Sequence, residues 1–412
     1  MNASVSYSGT HVASQALEPI QAPEAAVRLK TMLRSISSGQ DLTRLEAAEL
    51  LGYVLDGQAT DAQIAAVLVA LAQKGECIDE LVGLAEAMRK RMVALRTRHR
   101  CFVDTCGTGA SQAKTFNIST AAAFVAAAAG VPVAKHGARA STSKSGSADV
   151  LAAMGAPVPV PPAASEQLFD SLGFCFLFAP AHHPASARVA GIRRELGVRT
   201  CFNLIGPLCN PAGSRRQLMG ISDAKLMPKI ASSLLALGAE QAWVVRGHDG
   251  LDEVTLSGPT RVIELRDGQQ CERSVTPEDF GYRAEPLDAA RAQDAAASAR
   301  IIHQVLEQGR NDVARRLIAA NAAAALYVGG LSGSLRECAA RAEAVIDSGA
   351  AAEKLHAFLR GALQAAEKRA EATSEAPGDV GTAASSQRNL SVQPPATCFS
   401  AAHQAANPGE KA

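Results

Sequence analysis

Residues 104–120, DTCGTGASQAKTFNIST, join a short β-type run to a helical run. Gly107 and Gly109 allow the backbone of the loop to approach an anion closely. A helix that begins at Asn117 offers free N–H groups and the positive end of its dipole. This segment favours an α/β fold with an anion-binding loop between a strand and a helix.

The loop differs from two common nucleotide-binding motifs. A Rossmann fingerprint needs a third glycine at position 112, where the chain has Gln112, and no Gly-Lys-Ser/Thr of a Walker A loop follows. The hydroxyls of Ser119 and Thr120 add hydrogen-bond donors at the start of the helix. A phosphate loop of another type and an ordinary tight turn both remain compatible with this segment alone.

A second polar loop follows the next β-type run. In residues 134–155, AKHGARASTSKSGSADVLAAMG, Lys135, His136, Arg139 and Lys144 lie among serines and threonine. Two successive loops of this kind suit a ligand with two separate phosphate groups. The alternative is a surface loop with solvated cations. The first interpretation is favoured because both loops follow strands, where open α/β sheets bind ligands.

Two further segments carry charged side chains suited to ligand binding. Asp252 and Glu253, in the run DGLDE, could hold Mg²⁺ while a diphosphate completes its coordination shell; an acidic surface turn is the alternative. Residues 182–213 contain several arginines, any of which could pair bidentately with a substrate carboxylate or simply be an exposed helix charge. These arginines are Arg188, Arg193, Arg194 and Arg199.

Short β-type runs alternate with helical stretches from residue 102 onward, which predicts a mainly parallel sheet covered by helices. Residues 102–105, 131–134, 174–178, 242–246 and 261–265 are the strand candidates. The N-terminal region is helical in pattern, with capping boxes at Thr43/Glu46 and Thr60/Gln63. We expect four parts: a flexible arm (1–24), a helical domain (25–95), an α/β domain (96–370) and a disordered tail (371–412).

Composition restricts the class of protein. The net charge of +1 provides no overall field for nucleic acid or anionic lipid. The nine cysteines show no C-x-x-C spacing, which argues against a zinc site or a disulfide framework and for reduced thiols in the cytoplasm. The N-terminus lacks a secretory pattern, and the most apolar run, 121–134, is too short to span a bilayer.

Taken together, the motifs resemble the anthranilate phosphoribosyltransferase family, of the nucleoside-phosphorylase-like phosphoribosyltransferase class. The resemblance covers residues 28 to 345 and is carried by several motifs in the same order. They are GTG, TFNIST, VAKHG, SKSGSADVL, HHPA, RRELGVRT, FNLIGPL, NPA and DGLDE. It implies a helical N-terminal domain beside a large α/β domain with a central, mainly parallel sheet flanked by helices, and a homodimer formed through the helical part.

The resemblance also implies roles for individual residues. The phosphoribosyl diphosphate donor would be bound by Gly107, Thr108, Gly109, Thr115, Asn117, Ser119, Thr120, Lys135, Ser143 and Ser147. Magnesium would be held by Asp252, Glu253 and Ser119. The aromatic acceptor would contact His136, Ala138, His183, Arg193 and Pro207, with Arg193 facing its carboxylate. No residue is assigned as a general acid or base.

The chain departs from the family pattern at two places. The family has GTGGDG, whereas here Ala110, Ser111 and Gln112 follow the GTG, which bears on metal dependence. The family also has KHGNR, and its asparagine, a contact for the acceptor, is Ala138 here. Loss of one polar contact typically costs ~1–3 kcal/mol. Affinity for anthranilate should therefore fall unless another group compensates.

The expected activity is magnesium-dependent transfer of a 5-phosphoribosyl group to the amine of anthranilate, a step of tryptophan biosynthesis. Ala138 favours one alternative, a related enzyme that uses a different aromatic acid. A second alternative is a non-catalytic, nucleic-acid-binding relative, which the net charge of +1 disfavours. A nucleoside phosphorylase of the same fold is disfavoured by the HHPA and RRELGVRT segments.

Overall fold

The predicted N-terminal helical domain is confirmed in the computed structural model, which describes residues 22–109, 115–140, 145–310 and 312–374. Its helices are α1 (Ala22–Ser37), α2 (Arg44–Leu55), α3 (Asp61–Lys74) and α4 (Ile78–Lys90). Both capping boxes form, because the side chains of Thr43 and Thr60 accept from Glu46 N and Gln63 N. Each box satisfies backbone donors that a helix start leaves without intrahelical partners.

A seven-stranded sheet forms the centre of the described α/β region. Its strands are β1 (Val103–Gly107), β2 (Val133–Gly137), β3 (Phe174–Phe178), β4 (Arg216–Gly220), β5 (Gln241–Gly247), β6 (Thr260–Arg266) and β7 (Gln269–Val275). The order is β3-β2-β1-β4-β5-β6-β7, parallel through β5 and antiparallel beyond it. The mainly parallel sheet is thus confirmed.

Helices cover both faces of this sheet, as the resemblance implied. They are α5 (Ile118–Ala128), α6 (Ser147–Ala153), α7 (Pro162–Leu172), α8 (Ala179–His182), α9 (Ala187–Leu196), α10 (Phe202–Ile205), α11 (Met227–Ala236), α12 (Ala295–Leu306), α13 (Val313–Gly329), α14 (Leu335–Asp347) and α15 (Ala350–Ser374). The buried side chains of β5 alternate between two apolar cores. One core contains α5 and α12–α15, and the other contains α1–α4 and α11.

The order of the strands places a crevice at the carboxyl end of β1. The chain leaves β1 through α5 to β2 on one side, whereas β4 lies on the other side of β1. In open α/β sheets, ligands bind outside the carboxyl ends of the strands at such a switch in direction. The GTG loop therefore begins at the position where this architecture predicts a ligand.

The helical and α/β regions belong to one compact unit that ends at Ala370, and the predicted division into four parts stays a prediction. Helix α1 begins three residues before the predicted start of the helical domain, and α15 extends four residues into the predicted tail. Residues 1–21 and 375–412 lie outside the described residues, so the arm and the tail stay predictions. Among the described residues, no helix is long and apolar enough to cross a membrane.

Candidate active site

The GTG loop is held at both of its described ends. Thr108 N donates to Gly220 O at 3.0 Å, which extends the pairing of β1 with β4. Ser222 Oγ donates to Gly109 O at 3.1 Å, and Gly109 has a φ of 67°. A positive φ is readily adopted by glycine and rarely by other residues, which explains why the second position of the loop is a glycine. Residues 110–114, including Ser111, lie outside the described residues.

Asn117 connects the two predicted phosphate loops. It is the residue before α5, and its side-chain oxygen accepts from Ser145 Oγ at 2.7 Å and Ser298 Oγ at 2.8 Å. Its side-chain nitrogen donates to Ser145 O at 3.3 Å. The start of α5 is therefore fixed relative to the second loop. Thr115 lies just before it, in an isolated antiparallel bridge with Arg291.

Lys135 is buried beneath the start of α5 and is hydrogen-bonded within the protein. Its side chain is only 2% exposed, and its Nζ donates to the backbone oxygen of Thr105, to Thr105 Oγ1 at 3.3 Å and to Ser119 Oγ at 3.2 Å. An ammonium has three donors, and all three are used. Burial lowers the pKa of Lys135. Lys135 therefore supports Ser119 in this structure, and its contact with a phosphate stays a prediction.

Asp252 and Glu253 lie next to the GTG loop, as the predicted metal site requires. A Cβ placed on Gly107 would be 3.5 Å from Asp252 Oδ2, and Ser119 N donates to Glu253 Oε1 at 3.2 Å. The backbone of the following residue, Val254, is held by the side chain of Asn321. Val254 N donates to Asn321 Oδ1, and Val254 O accepts from Asn321 Nδ2, both at 2.9 Å.

The electrostatics of the acidic pair favour a cation. Burial, and then the charge of Asp252, raise the pKa of Glu253 to about 8. Two adjacent carboxylates and the hydroxyl of Ser119 supply the hard oxygen ligands that Mg²⁺ prefers. A bound cation would relieve the repulsion between the carboxylates. The residues present therefore fit a magnesium ion.

The turn that carries the acidic pair passes directly over the end of β4. A Cβ on Gly220 would lie 1.7 Å from Asp252 O, a distance at which the backbone must move. Sequence reasoning did not single out Gly220, because nothing in its local sequence reveals a contact with so distant a segment. Its absence of a side chain allows Asp252 to approach Gly107.

The second loop is also closely packed where it is described. A Cβ on Gly137 would lie 2.1 Å from Ser147 Oγ, so the end of β2 and the start of α6 are in contact. Asp149 caps this turn by accepting from Ala140 N at 2.8 Å and Gly146 N at 3.0 Å. Ala138 is exposed and adds no polar side chain. Ser143 lies outside the described residues.

Two buried histidines mark the predicted acceptor channel. The ring centroids of His136 and His183 are 5.2 Å apart, and His183 Nε2 contacts Cys209 O at 3.1 Å. Burial lowers the pKa of His183 to about 4 and that of His136 well below its usual value. Both rings are therefore neutral at pH 7, and each can donate or accept a hydrogen bond. Pro207 lies in the turn before Cys209.

Arg193 projects from α9 beside the short helix α10. Its guanidinium donates to Asn203 Oδ1 at 3.2 Å and lies over the ring of Phe202, 5.3 Å from the centroid. Burial lowers its pKa, and no carboxylate of the described residues forms an ion pair with it. Buried charges are normally paired. This guanidinium is thus suited to a ligand carboxylate.

Buried polar atoms without a hydrogen-bond partner concentrate in this region. Five of the twelve such atoms among the described residues belong to predicted site residues. They are Thr108 Oγ1, Thr120 Oγ1, His136 Nε2, His183 Nδ1 and Arg193 Nε. Because buried polar groups in native proteins are nearly always satisfied, this concentration indicates a site that binds a polar ligand.

Another possible metal cluster, outside this site, is already neutralised. Asp41, Cys77 and Glu80 are close enough together to ligate a metal ion. Lys74 Nζ, however, donates to Asp41 Oδ1 at 2.5 Å and to Glu80 Oε2 at 2.8 Å. The ammonium supplies the positive charge that a metal would otherwise bring, so we assign this cluster a structural role in the helical domain.

Several supporting residues escaped sequence reasoning. Asn321 lies in the alanine-rich helix α13 and is fully buried, and Asp104 and Gln217 are buried polar residues of β1 and β4. A polar side chain inside an otherwise apolar run was the available signal, since such a group needs a buried partner. The partners themselves lie far away in sequence and could not be identified.

Comparisons with known proteins agree with this geometry. Residues 30–92 match the family described as "Glycosyl transferase family, helical bundle domain", and residues 99–352 match "Glycosyl transferase family, a/b domain". An anthranilate phosphoribosyltransferase of Anaeromyxobacter sp. (strain K) is 50% identical over 331 residues, which are 80% of this chain and 98% of the relative. That of Moorella thermoacetica is 48% identical over 334 residues, 80% and 97% of the two chains.

Solved structures of anthranilate phosphoribosyltransferases are also similar to this chain. The crystal structure of anthranilate phosphoribosyltransferase from Thermus thermophilus has a TM-score of 0.75 and 38% identity, and the match covers 80% of this chain and 98% of that one. The enzyme from Saccharomyces cerevisiae in complex with PRPP and Mg has a TM-score of 0.75 and 26% identity, over 82% and 98% of the two chains.

Proposed function

The chain belongs to the anthranilate phosphoribosyltransferase family, whose members are glycosyltransferases of tryptophan biosynthesis, and we propose that it transfers the 5-phosphoribosyl group of phosphoribosyl diphosphate to the amine of anthranilate. One observation carries the proposal. The GTG loop and the acidic pair meet at the carboxyl end of β1, and the neighbouring strand β2 carries His136, which faces the ring of His183. The Arg193 guanidinium, which forms no ion pair within the described residues, is left for a substrate carboxylate.

The donor half of the site binds the diphosphate and the phosphoribosyl phosphate. Backbone amides at the GTG loop and the start of α5 face the place where negative charge accumulates when the pyrophosphate departs. Asn117 fixes the start of α5 relative to the second loop, and Lys135 holds the Ser119 hydroxyl in place. Because these groups are ordered by one another, little reorganisation is needed during the reaction.

Asp252, Glu253 and Ser119 would hold the magnesium ion. When bound, Mg²⁺ neutralises charge on the diphosphate and on the departing pyrophosphate. The raised pKa of Glu253 supports this assignment, because burial and the charge of Asp252 disfavour a negative charge on Glu253, and a bound cation would offset that cost. A Saccharomyces cerevisiae relative has been solved in complex with PRPP and Mg, which supports magnesium as the metal.

The acceptor half orients an aromatic acid for attack on the anomeric carbon. The Arg193 guanidinium pairs with the carboxylate, and the neutral rings of His136 and His183 border the aromatic ring. The amine nitrogen forms the new bond to the anomeric carbon as the bond to pyrophosphate breaks. The aniline-type nitrogen then sheds its proton without a dedicated base, so the rate depends mainly on positioning.

The direct test is pyrophosphate release from phosphoribosyl diphosphate with anthranilate and with a panel of substituted benzoates, with and without Mg²⁺. We expect saturable, Mg²⁺-dependent turnover with anthranilate. Turnover with another acceptor only would assign the chain to a different aromatic acid, which is the outcome that Ala138 favours. A failure to release pyrophosphate with any acceptor, at any Mg²⁺ concentration, would overturn the proposed transfer.

We also propose a homodimer formed through the helical domain. Val27, Leu45 and Ile78 lie on three different helices of this domain and are 64%, 77% and 39% exposed. Apolar side chains on a helical surface suit a protein interface. Sedimentation velocity is the test: a particle of twice the 42.6 kDa chain mass supports the dimer, and a particle of that mass contradicts it.

A further inference from the structure

Strands β1 and β2 separate after their first paired residues, and side chains replace the missing ladder between them. β1 pairs with β4 at five positions but with β2 only at Val103 and Val133. Beyond this pair, His136 N donates to the Asp104 carboxylate at 3.2 Å. The carbonyl of Ala134 accepts from Asn210 Nδ2 at 2.8 Å. The gap therefore contains ordered polar groups, which buried backbone requires.

Gln217 extends this network toward the acceptor half. Gln217 and Asp104 are partners in the β1–β4 register and are 4% and 0% exposed. Gln217 Nε2 lies 3.3 Å from Asp104 Oδ2, 3.0 Å from Cys106 Sγ and 2.7 Å from Pro207 O. The shortest contact is the one to Pro207, so the position of the turn that carries Pro207 depends on this amide.

His136 approaches the other end of this turn through His183: the two ring centroids are 5.2 Å apart, and His183 Nε2 contacts Cys209 O, just after the turn, at 3.1 Å. Asp104 fixes the backbone of His136, and Gln217 fixes the carbonyl of Pro207. The two acceptor-site residues thus come from distant segments but share one buried support. Among the described residues, no hydrogen bond joins the side chain of Asp104 or Gln217 to a residue that we assign to phosphate or magnesium, although the charge of Lys135 acts on Asp104.

We propose that Asp104 and Gln217 are positioning residues for the acceptor half of the site. Acting from beneath the pocket, they set the separation between His136 and the Pro207 turn and so determine how well an aromatic acid fits between them. This inference rests on the proposed function. It deepens that function by assigning acceptor affinity, apart from donor affinity, to a pair of buried residues outside the pocket.

Gln217→Met tests the proposal, because methionine nearly preserves the volume and removes the donor. We expect the KM for anthranilate to rise about tenfold, the effect of one lost hydrogen bond, while the KM for phosphoribosyl diphosphate stays within about twofold. Gln241→Met is the matched control. Gln241 is also a buried strand glutamine, 7% exposed, whose Nε2 donates to Tyr327 O at 3.2 Å, away from the site.

Asp104→Asn provides a second, independent variant. Asparagine keeps an oxygen for His136 N but presents a second amide nitrogen to Gln217 Nε2, so the Gln217 amide should turn and release Pro207. Asp104→Asn should therefore raise the same KM, and the double variant should resemble Gln217→Met alone. If Gln217→Met fails to fold, Asp104→Asn carries the test with the same KM comparison.

The outcomes separate the inference from the proposed function. A rise in the acceptor KM for Gln217→Met but not Gln241→Met supports the inference. Unchanged acceptor KM, equal rises of both KM values, or equal effects in the two variants overturn it. The KM is measured for whichever acceptor the wild-type enzyme uses, so rejection of anthranilate removes only the proposed acceptor. An enzyme silent with every acceptor overturns both.

Discussion

The donor and acceptor halves of the site are built in different ways. At the donor half, Asn117, Ser119 and Lys135 are hydrogen-bonded to neighbouring residues, and their segments follow one another along β1, α5 and β2. At the acceptor half, His136 and His183 each keep a buried ring nitrogen without a partner among the described residues. Both halves leave polar atoms for a ligand to satisfy, since the hydroxyls of Thr108 and Thr120 at the donor half also lack a partner among the described residues. The difference is that the donor half is built from successive segments of the chain, whereas the acceptor half joins segments that are distant in sequence.

The largest expected effect lies in the donor half. Replacing Asp252 and Glu253 together by alanine should lower kcat about 10⁴-fold at saturating Mg²⁺, because the ligands of the charge-neutralising ion are removed. Steady-state pyrophosphate release measures it. Glu272→Gln, at an exposed ion pair with Arg261, is the control and should retain wild-type turnover. A double variant with near-normal kcat would contradict the assignment of the metal site.

A smaller effect is expected when the acidic pair is displaced but kept. The Cβ of Gly220→Ala would meet Asp252 O at 1.7 Å, so the turn must shift. Misplacement by about 1 Å can lower the rate about 10²-fold. Titration of kcat/KM with Mg²⁺ is the measurement. Gly191→Ala, in helix α9 with no atom within 4 Å of its Cβ, should leave it unchanged, and equal loss in both variants would refute the explanation.

The acceptor half is tested by its guanidinium. Arg193→Gln should raise the KM for anthranilate about 30-fold, as expected for a lost charge-assisted hydrogen bond, with little change for phosphoribosyl diphosphate. The adjacent and exposed Arg194 offers a matched control, Arg194→Gln. Initial rates over both substrate concentrations distinguish the two. If the two variants had similar KM values for anthranilate, a group other than Arg193 would have to bind the anthranilate carboxylate.

The smallest expected effect concerns stability and pH. The pKa of His183 is about 4 in the folded protein, and an unfolded histidine has a pKa of about 6.5. The unfolded state therefore takes up the proton first, so stability present above pH 6.5 is lost as the pH falls toward 4. His183→Asn should reduce the loss between pH 7 and pH 5 by about 2 kcal/mol.

Urea unfolding at the two pH values measures this difference. His248→Asn, which replaces an exposed histidine, should keep the wild-type loss. An unchanged loss in His183→Asn would show that the buried ring is not responsible for it. Activity is not the readout here, so the result is independent of the acceptor that the enzyme uses.

The local elements of the fold could be predicted from the sequence, whereas its long-range contacts could not, for a physical reason. Strand-to-helix loops with glycine and hydroxyl residues have local signatures, and two capping boxes and five of the seven strands were also predictable from local pattern. Strands β4 and β7 were missed because β4 begins with polar residues and β7 is a largely exposed edge strand. Neither has the apolar texture of a buried strand.

Long-range contacts account for the rest. Three contacts join segments that are separated in the sequence and could not be predicted from residue type. Gln217 donates to Pro207 O, Asp252 packs against Gly220, and Lys135 donates to Thr105 O. A lysine beside serines suggested a phosphate contact, yet burial gave its ammonium three protein acceptors. Only the packing of β1 against its neighbours reveals this.

The most direct test of the account is equilibrium binding of each substrate to the two half-site variants. Calorimetric titration would be performed with phosphoribosyl diphosphate plus Mg²⁺ and, separately, with anthranilate. We predict that the variant lacking Asp252 and Glu253 loses donor binding and keeps anthranilate binding, and that Arg193→Gln does the reverse. Loss of both ligands in both variants would contradict a site built from two separable halves.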